Sequence, residues 1–226
     1  MWNVKVKVPS FTWINLRQSG RVLHNGSMLD GLLPLFPLPL VLLPQNPLPL
    51  HIFEERYREM IGEAIENESE FGVVLAAEGG IVNVGCTATI ERVVERFADG
   101  RLDIATVGRR RFEVHSINED RVFLRGEVSF FDDEVEGAPE DLSSRALAAA
   151  PAREGIGPLL SFDLGRQVRD IHFRQQLLMC RSESDRLRML IDFFPGQTVR
   201  DVYVDQMKVL AVRNGHGKKG PGGLAD

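Results

Sequence analysis

A chain of 226 residues with 43% hydrophobic and 26% charged residues can bury a sizeable core and fits one or two globular domains. Its 27 Lys and Arg against 32 Asp and Glu leave a formal net charge of −5, which excludes a general field for phosphate backbones, so nucleic-acid binding would need a local basic patch. Cys86 and Cys180 lack any C-x-x-C spacing, which argues against a zinc site or a disulfide framework and fits a reducing compartment; both read as buried small hydrophobes.

Residues 1–27 mix polar and apolar residues without a long period and break at Gly20 and Asn25-Gly26-Ser27. They are expected to stay outside the core, as a loose arm or an extension upstream of a true start at Met28. Between Asp30 and Glu54 there is no Asp, Glu, Lys or Arg, and the run LLPLFPLPLVLLPQNPLPL is long enough to imitate a membrane helix. Pro34, Pro37, Pro39, Pro44, Pro47 and Pro49 rule that out. Each would cost a helix interior about 3 kcal/mol, whereas edge strands and turns accept proline. Neither Met1 nor Met28 is followed by a basic region and a compact apolar stretch, so no secretory signal is read and the expected location is the cytoplasm.

Downstream, Phe53, Tyr57, Met60, Ile61, Ala64 and Ile65 recur at helical spacing, with Glu54, Glu55, Arg58, Glu59 and Glu63 on the other faces. From Phe71 the period becomes that of strands. FGVVLAA leads through Glu78-Gly79-Gly80 to IVNVGCTATIERVVERF, and Asp99-Gly100 is a two-residue hairpin signal. RLDIATV, RFEVHSI and RVFLRGEVSFF follow as separate strands; in the last, Val122, Leu124, Val128 and Phe130 alternate with Arg125, Glu127 and Ser129. Residues 132–141 are acidic, contain Gly137 and Pro139, and read as a linker. Four helices are expected beyond it, in SSRALAAA, RDIHFRQQLLMC, ESDRLRMLIDFF and TVRDVYVDQMKVLAV, with Pro195-Gly196 separating the last two. The tail from Asn214 is Gly-rich and is expected to be disordered.

This order of elements, and above all the string LPLFPLPLVLLPQNPLPLHIFEERYREMI, resembles the substrate-binding domain at the N-terminus of the ATP-dependent Lon proteases. VGCTATIERV, the Gly108-Arg109-Arg110-Arg111-Phe112 corner and FRQQLLMCRSESDRLRMLIDFF carry the likeness over roughly Leu32 to Leu210. Met179 and Cys180 stand where the family usually has an acidic residue, so no role for that acid carries over. The resemblance implies an α+β chain: a PUA-like small β-barrel with one amphipathic helix over 28–131, the linker, then a helical bundle over 142–213. It also implies a non-catalytic protein that binds unfolded or damaged polypeptide, with a full-length Lon protease as a further partner. Lon proteases continue into an ATPase and a Ser-Lys peptidase, and no G-x-x-x-x-G-K-[ST] loop occurs in this sequence, so neither activity is expected of it.

No other chemistry stands out, and no cofactor is expected. His24, His51, His115, His172 and His216 do not pair at metal-ligand spacing, and no G-x-S-x-G elbow is present around Ser161 or Ser182. His51 reads as a structural hydrogen-bonding group at a strand-to-helix corner, and Glu54 and Arg58 as an i,i+4 surface pair. Arg109 and Arg110 are the candidate phosphate contacts, although a solvated strand rim is the stronger reading, and Phe112 should point inward. Phe130 with Phe131, and Phe193 with Phe194, are the candidate polypeptide-binding residues, because adjacent side chains on one element do not readily share one buried side. An RNA-binding barrel and a partner-specific adaptor in protein quality control remain open as alternatives, with oligomeric state undetermined. Nucleic acid is disfavoured by charge and no membrane contact is expected.

Overall fold

The computed structural model describes residues 13–15, 31–77, 79–134, 137–153 and 157–215. Along these residues the elements are β1 (Trp13–Asn15), β2 (Leu33–Leu38), β3 (Pro47–Ile52), α1 (Glu55–Glu66), β4 (Phe71–Ala77), β5 (Gly80–Arg96), β6 (Leu102–Asn118), β7 (Leu124–Phe131), α2 (Glu140–Ala149), α3 (Leu160–Gly165), α4 (Ile171–Met179) and α5 (Glu183–Gly215). The fold is α+β, a mixed sheet followed by helices. Strands pair in the order β1-β5-β4-β2-β7-β6-β3, and β5 also pairs with β6, so the path β5-β4-β2-β7-β6 returns to its starting strand. Among the described strands only β2 and β4 run parallel.

The prolines sit where the sheet does not need their missing N–H. β2 pairs with β7 through Leu33–Leu35 and with β4 through Leu35–Leu38. Pro34 and Pro37 point their nitrogens to opposite sides because their positions differ in parity, and each faces the side where pairing has not begun or has ended. Among the described residues β3 is an edge strand paired only with β6, residue by residue from Pro47↔Val107 to Ile52↔Leu102. That register requires the amides of Leu48, Leu50 and Ile52 to face β6, which leaves Pro47 and Pro49 on the open side.

Helix α1 buries Tyr57, Met60, Ile61 and Ala64 in a cluster with Phe36, Val73, Leu75, Cys86 and Ile104 that also takes in Phe162 of α3 and Leu178 of α4. Phe53 does not join them. It precedes the helix, so helical phase does not apply to it, and it is 61% exposed. A second cluster, Leu35, Val74, Ile81, Phe112 and Val114, lies on the strands. The Phe112 ring fits there because Gly72 and Gly85 have no side chain; a Cβ at either would stand 2.6 or 2.5 Å from Cζ of that ring. A third cluster, including Leu142, Ala146, Leu164, Leu177, Leu190 and Phe194, holds α2 to α5 together.

Several expectations are corrected. Trp13–Asn15, within the segment expected to stay loose, pairs antiparallel with Gly80–Val82 of β5; the rest of residues 1–27, Met28 among them, lies outside the described residues. The two strands expected on either side of Gly108 are one, because Gly108 pairs with Ala88 and receives the β2–β3 corner: Gln45 N donates to Gly108 O, Gly108 N donates to Asn46 O, and a Cβ would stand 2.3 Å from Leu43 O. Val122 lies before β7 and is exposed. The acidic linker is shorter than 132–141, since α2 starts at Glu140, and α3 was not anticipated. The last two expected helices are one, running through Pro195. Gln197 anchors it there, with its side chain accepting from Arg169 N and donating to Gln167 O. Asn214 and Gly215, assigned to the tail, end α5, and the remainder of the tail is outside the described residues. No described helix is long and apolar enough to cross a membrane.

Candidate polypeptide-binding surfaces

A protein that grips apolar side chains needs exposed apolar groups on a scaffold that holds them still. The scaffold is set by a charged cluster where the sheet meets the helices. Arg111 on β6 donates to Asp133 (2.5 Å) and to the carbonyls of Leu178 and Cys180, and Arg186 on α5 donates to both oxygens of the same Asp133 and to Cys180 O. Arg186 also meets Glu183 (2.6 Å) and the Ser161 hydroxyl (2.7 Å), which in turn donates to Glu183. Two arginines thus face two carboxylates, and Arg186 is wholly buried. Burial alone would raise the Asp133 carboxyl, but hydrogen bonds and charge from Arg186 and Arg111 outweigh it and hold the group below the usual carboxylate range. Burial lowers the Arg111 guanidinium, with Asp133 opposing. It also acts against Arg186, where Asp133 and Glu183 prevail and raise it. Ser161, a serine weighed as a nucleophile, is buried inside this network.

The four phenylalanines chosen from the sequence separate. Phe194 is completely buried in the helical cluster, so its side chain is unavailable to a ligand. Phe193 is partly buried and stacked on Phe173, ring centroids 4.0 Å apart. Phe131 is packed against the sheet cluster, with the guanidiniums of Arg111 and Arg181 at 4.7 and 4.5 Å. Phe130 is 45% exposed, but Arg110 covers its ring at 3.8 Å and is itself paired with Glu70. Of the candidate phosphate contacts, Arg109 and Arg110 are exposed, whereas the adjacent Arg111 is drawn into the buried network, so the three do not form one patch. Phe112 points inward.

The surface missed from sequence lies at the far end of the β5–β6 hairpin. His51 at the end of β3 has Phe53 at 6.0 Å and Phe97 at 5.8 Å between ring centroids. His51 Nδ1 meets Asp103 at 2.5 Å, and Arg101 lies 4.9 Å over the Phe97 ring while bonded to Asp99. The surface pair expected between Glu54 and Arg58 does not form. Glu54 bonds to Arg56, and Arg58 reaches across to Asp99 O at 2.8 Å, tying α1 to the hairpin turn. The available signal was the i,i+2 spacing of His51 and Phe53, which continues the strand period past Ile52. Among the described residues no group of three or more His, Cys, Asp or Glu is placed to hold a metal.

The family model described as the ATP-dependent protease La (LON) substrate-binding domain matches residues 32–194. The chain is similar to a Lon protease of Parabacteroides distasonis, 31% identical over 110 residues; the match covers 45% of this chain and 13% of that protein. In three dimensions it is similar to a Lon N-terminal domain protein from Xanthomonas campestris, with TM-score 0.60 and 27% identity, covering 72% of this chain and 98% of that one. It shares the fold of the N-terminal domain of a Lon protease from the Mycobacterium avium complex, with TM-score 0.51, 20% identity, and coverages of 73% and 98%.

Proposed function

Because the chain belongs to the LON substrate-binding domain family, whose model spans 32–194, we propose that it recognises polypeptide, unfolded or damaged, by non-covalent contact and carries out no chemical step itself. The observation that carries this reading is the family match over the sheet and the helices joined to it, a scaffold that presents aromatic rings to solvent at its hairpin end. We read the returning path of β5, β4, β2, β7 and β6 as a small PUA-like barrel and the α2 to α5 group as a helical bundle packed beside it. Apolar contact of this kind is shallow and weak per site, so capture strengthens when one client offers several segments. A Lon-type protease acting on the captured chain is the corresponding partner, and the free Cys86 and Cys180 suit a reducing cytoplasm.

Binding of the purified protein to fluorescent β-casein and, in parallel, to single-stranded RNA at low and high salt tests the reading. Capture of casein that persists at high salt is expected, since apolar contact is not screened. RNA binding that falls steeply with salt, without casein binding, would replace it with phosphate recognition.

A further inference from the structure

We propose that His51, Phe53 and Phe97 form a platform that takes an apolar side chain from an extended, uncharged polypeptide segment. This rests on the polypeptide-binding reading and assigns its contact surface. Three elements hold the rings in advance of any ligand. His51 is the penultimate residue of β3, Phe53 leads into α1, and Phe97 directly follows β5, where Phe97 N donates to Arg101 O and Gly100 N donates to Phe97 O, both at 3.0 Å. The bond from Arg58 to Asp99 O fixes the turn against the helix. Little ordering is left to be done on binding.

The charges around the rings decide the class of ligand. The charged groups in contact with the rings are paired: Asp103 meets the His51 ring, Arg101 over Phe97 pairs with Asp99, and Glu54, next to Phe53, pairs with Arg56. A charged side chain arriving there must displace one of these pairs, whereas an apolar one covers exposed ring surface and leaves the rim intact. Strand addition is disfavoured as well, since Pro47 and Pro49 take donors from the open edge of β3. Contact through side chains, without a backbone ladder, fits clients of no fixed sequence. Arg101 lies over one face of Phe97 at 4.9 Å, as Arg110 lies over Phe130 at 3.8 Å, and Phe193 is stacked on Phe173; what sets the platform apart is Phe53, which is 61% exposed and stands beside His51.

Fluorescence anisotropy with three labelled peptides, alternating Phe-Ser, Lys-Ser and Glu-Ser, tests the platform against the intact chain, the double variant Phe53→Ser/Phe97→Ser, and Phe130→Ser. The Phe-Ser peptide alone should bind, about tenfold or more weakened by the double variant and unchanged by Phe130→Ser. Circular dichroism checks the fold; if Phe97→Ser perturbs it, Phe53→Ser alone carries the comparison, because Phe53 lies outside the buried clusters. Equal affinity in the ring variants, or preference for a charged peptide, overturns the platform and leaves casein binding standing. Failure of the intact chain to bind both casein and every peptide overturns this proposal and the broader reading together.

Discussion

Replacing Asp133 by Asn keeps the size of the side chain and removes the charge that both Arg111 and Arg186 use. Glu183 still pairs with Arg186, but Arg111 is left with carbonyl partners and no carboxylate, so the cluster carries an uncompensated positive charge. Breaking a buried pair from one side costs about 3 to 5 kcal/mol, and the low end applies because Asp133 keeps some contact with water. With a urea dependence of about 2 kcal/mol per molar, a loss of about 3 kcal/mol moves the unfolding midpoint down by about 1.5 M. Far-UV circular dichroism during a urea titration measures it. Since Asp133 joins β6 to α5, the variant should also lose the helices at lower urea than the sheet. A midpoint within about 0.3 M of the parent, which is about 0.6 kcal/mol at the same slope, would refute the argument that this carboxylate neutralises two buried charges. The exposed pair between Arg110 and Glu70 is the control, and Arg110→Ala should change stability by no more than about 1 kcal/mol.

The pH dependence follows from the same group. Its folded value is depressed, so its contribution is present above the unfolded carboxylate value and is lost as pH falls through the lower folded one; acid titration should show a stability loss in Asp133 that Asp133→Asn lacks. Gly72→Ala and Gly85→Ala should each cost about 1 to 3 kcal/mol by crowding Phe112. Phe112→Leu should relieve the first in thermal melts more than the second, because the added methyl at Gly85 also meets the backbone carbonyl of Val73 at 2.5 Å. Burial pushes the Cys86 thiol up to about 12, so alkylation at neutral pH should reach Cys86 only in denaturant, with Cys180, partly exposed, modified first by mass spectrometry. Pro195→Ala should stabilise α5 by about 2 kcal/mol in urea titrations, the lost helix penalty of about 3 kcal/mol less the up to about 1 kcal/mol gained in unfolded-chain freedom.

Much of the scaffold was legible because it depends on local chemistry. Tyr57, Met60, Ile61 and Ala64 fall on one face of a helix by spacing alone, FGVVLAA reads as the strand it forms, and Asp99-Gly100 makes the turn, with Gly100 at φ 86°. Spacing alone extends the helical face one turn too far, to Phe53, and Gly108 and Pro195-Gly196 read locally as breaks. In both latter places partners distant in sequence override the local signal: Ala88 and the Leu43–Asn46 corner hold Gly108 in one long strand, and Gln197 docks on Gln167 and Arg169 beyond the proline.

The sequence by itself determined the family resemblance, the proline-punctuated strands and the amphipathic first helix, because spacing and backbone restriction act between near neighbours. Which aromatic rings face solvent was decided only in the tertiary structure. Phe130 and Phe53 are both exposed, but Arg110 on the neighbouring strand covers the Phe130 ring, whereas Phe53 stands beside the His51 ring. Three consecutive arginines likewise look alike in sequence. Arg111 alone is buried, because Asp133 and the carbonyls of Leu178 and Cys180 are brought to it by a chain reversal that no local pattern records.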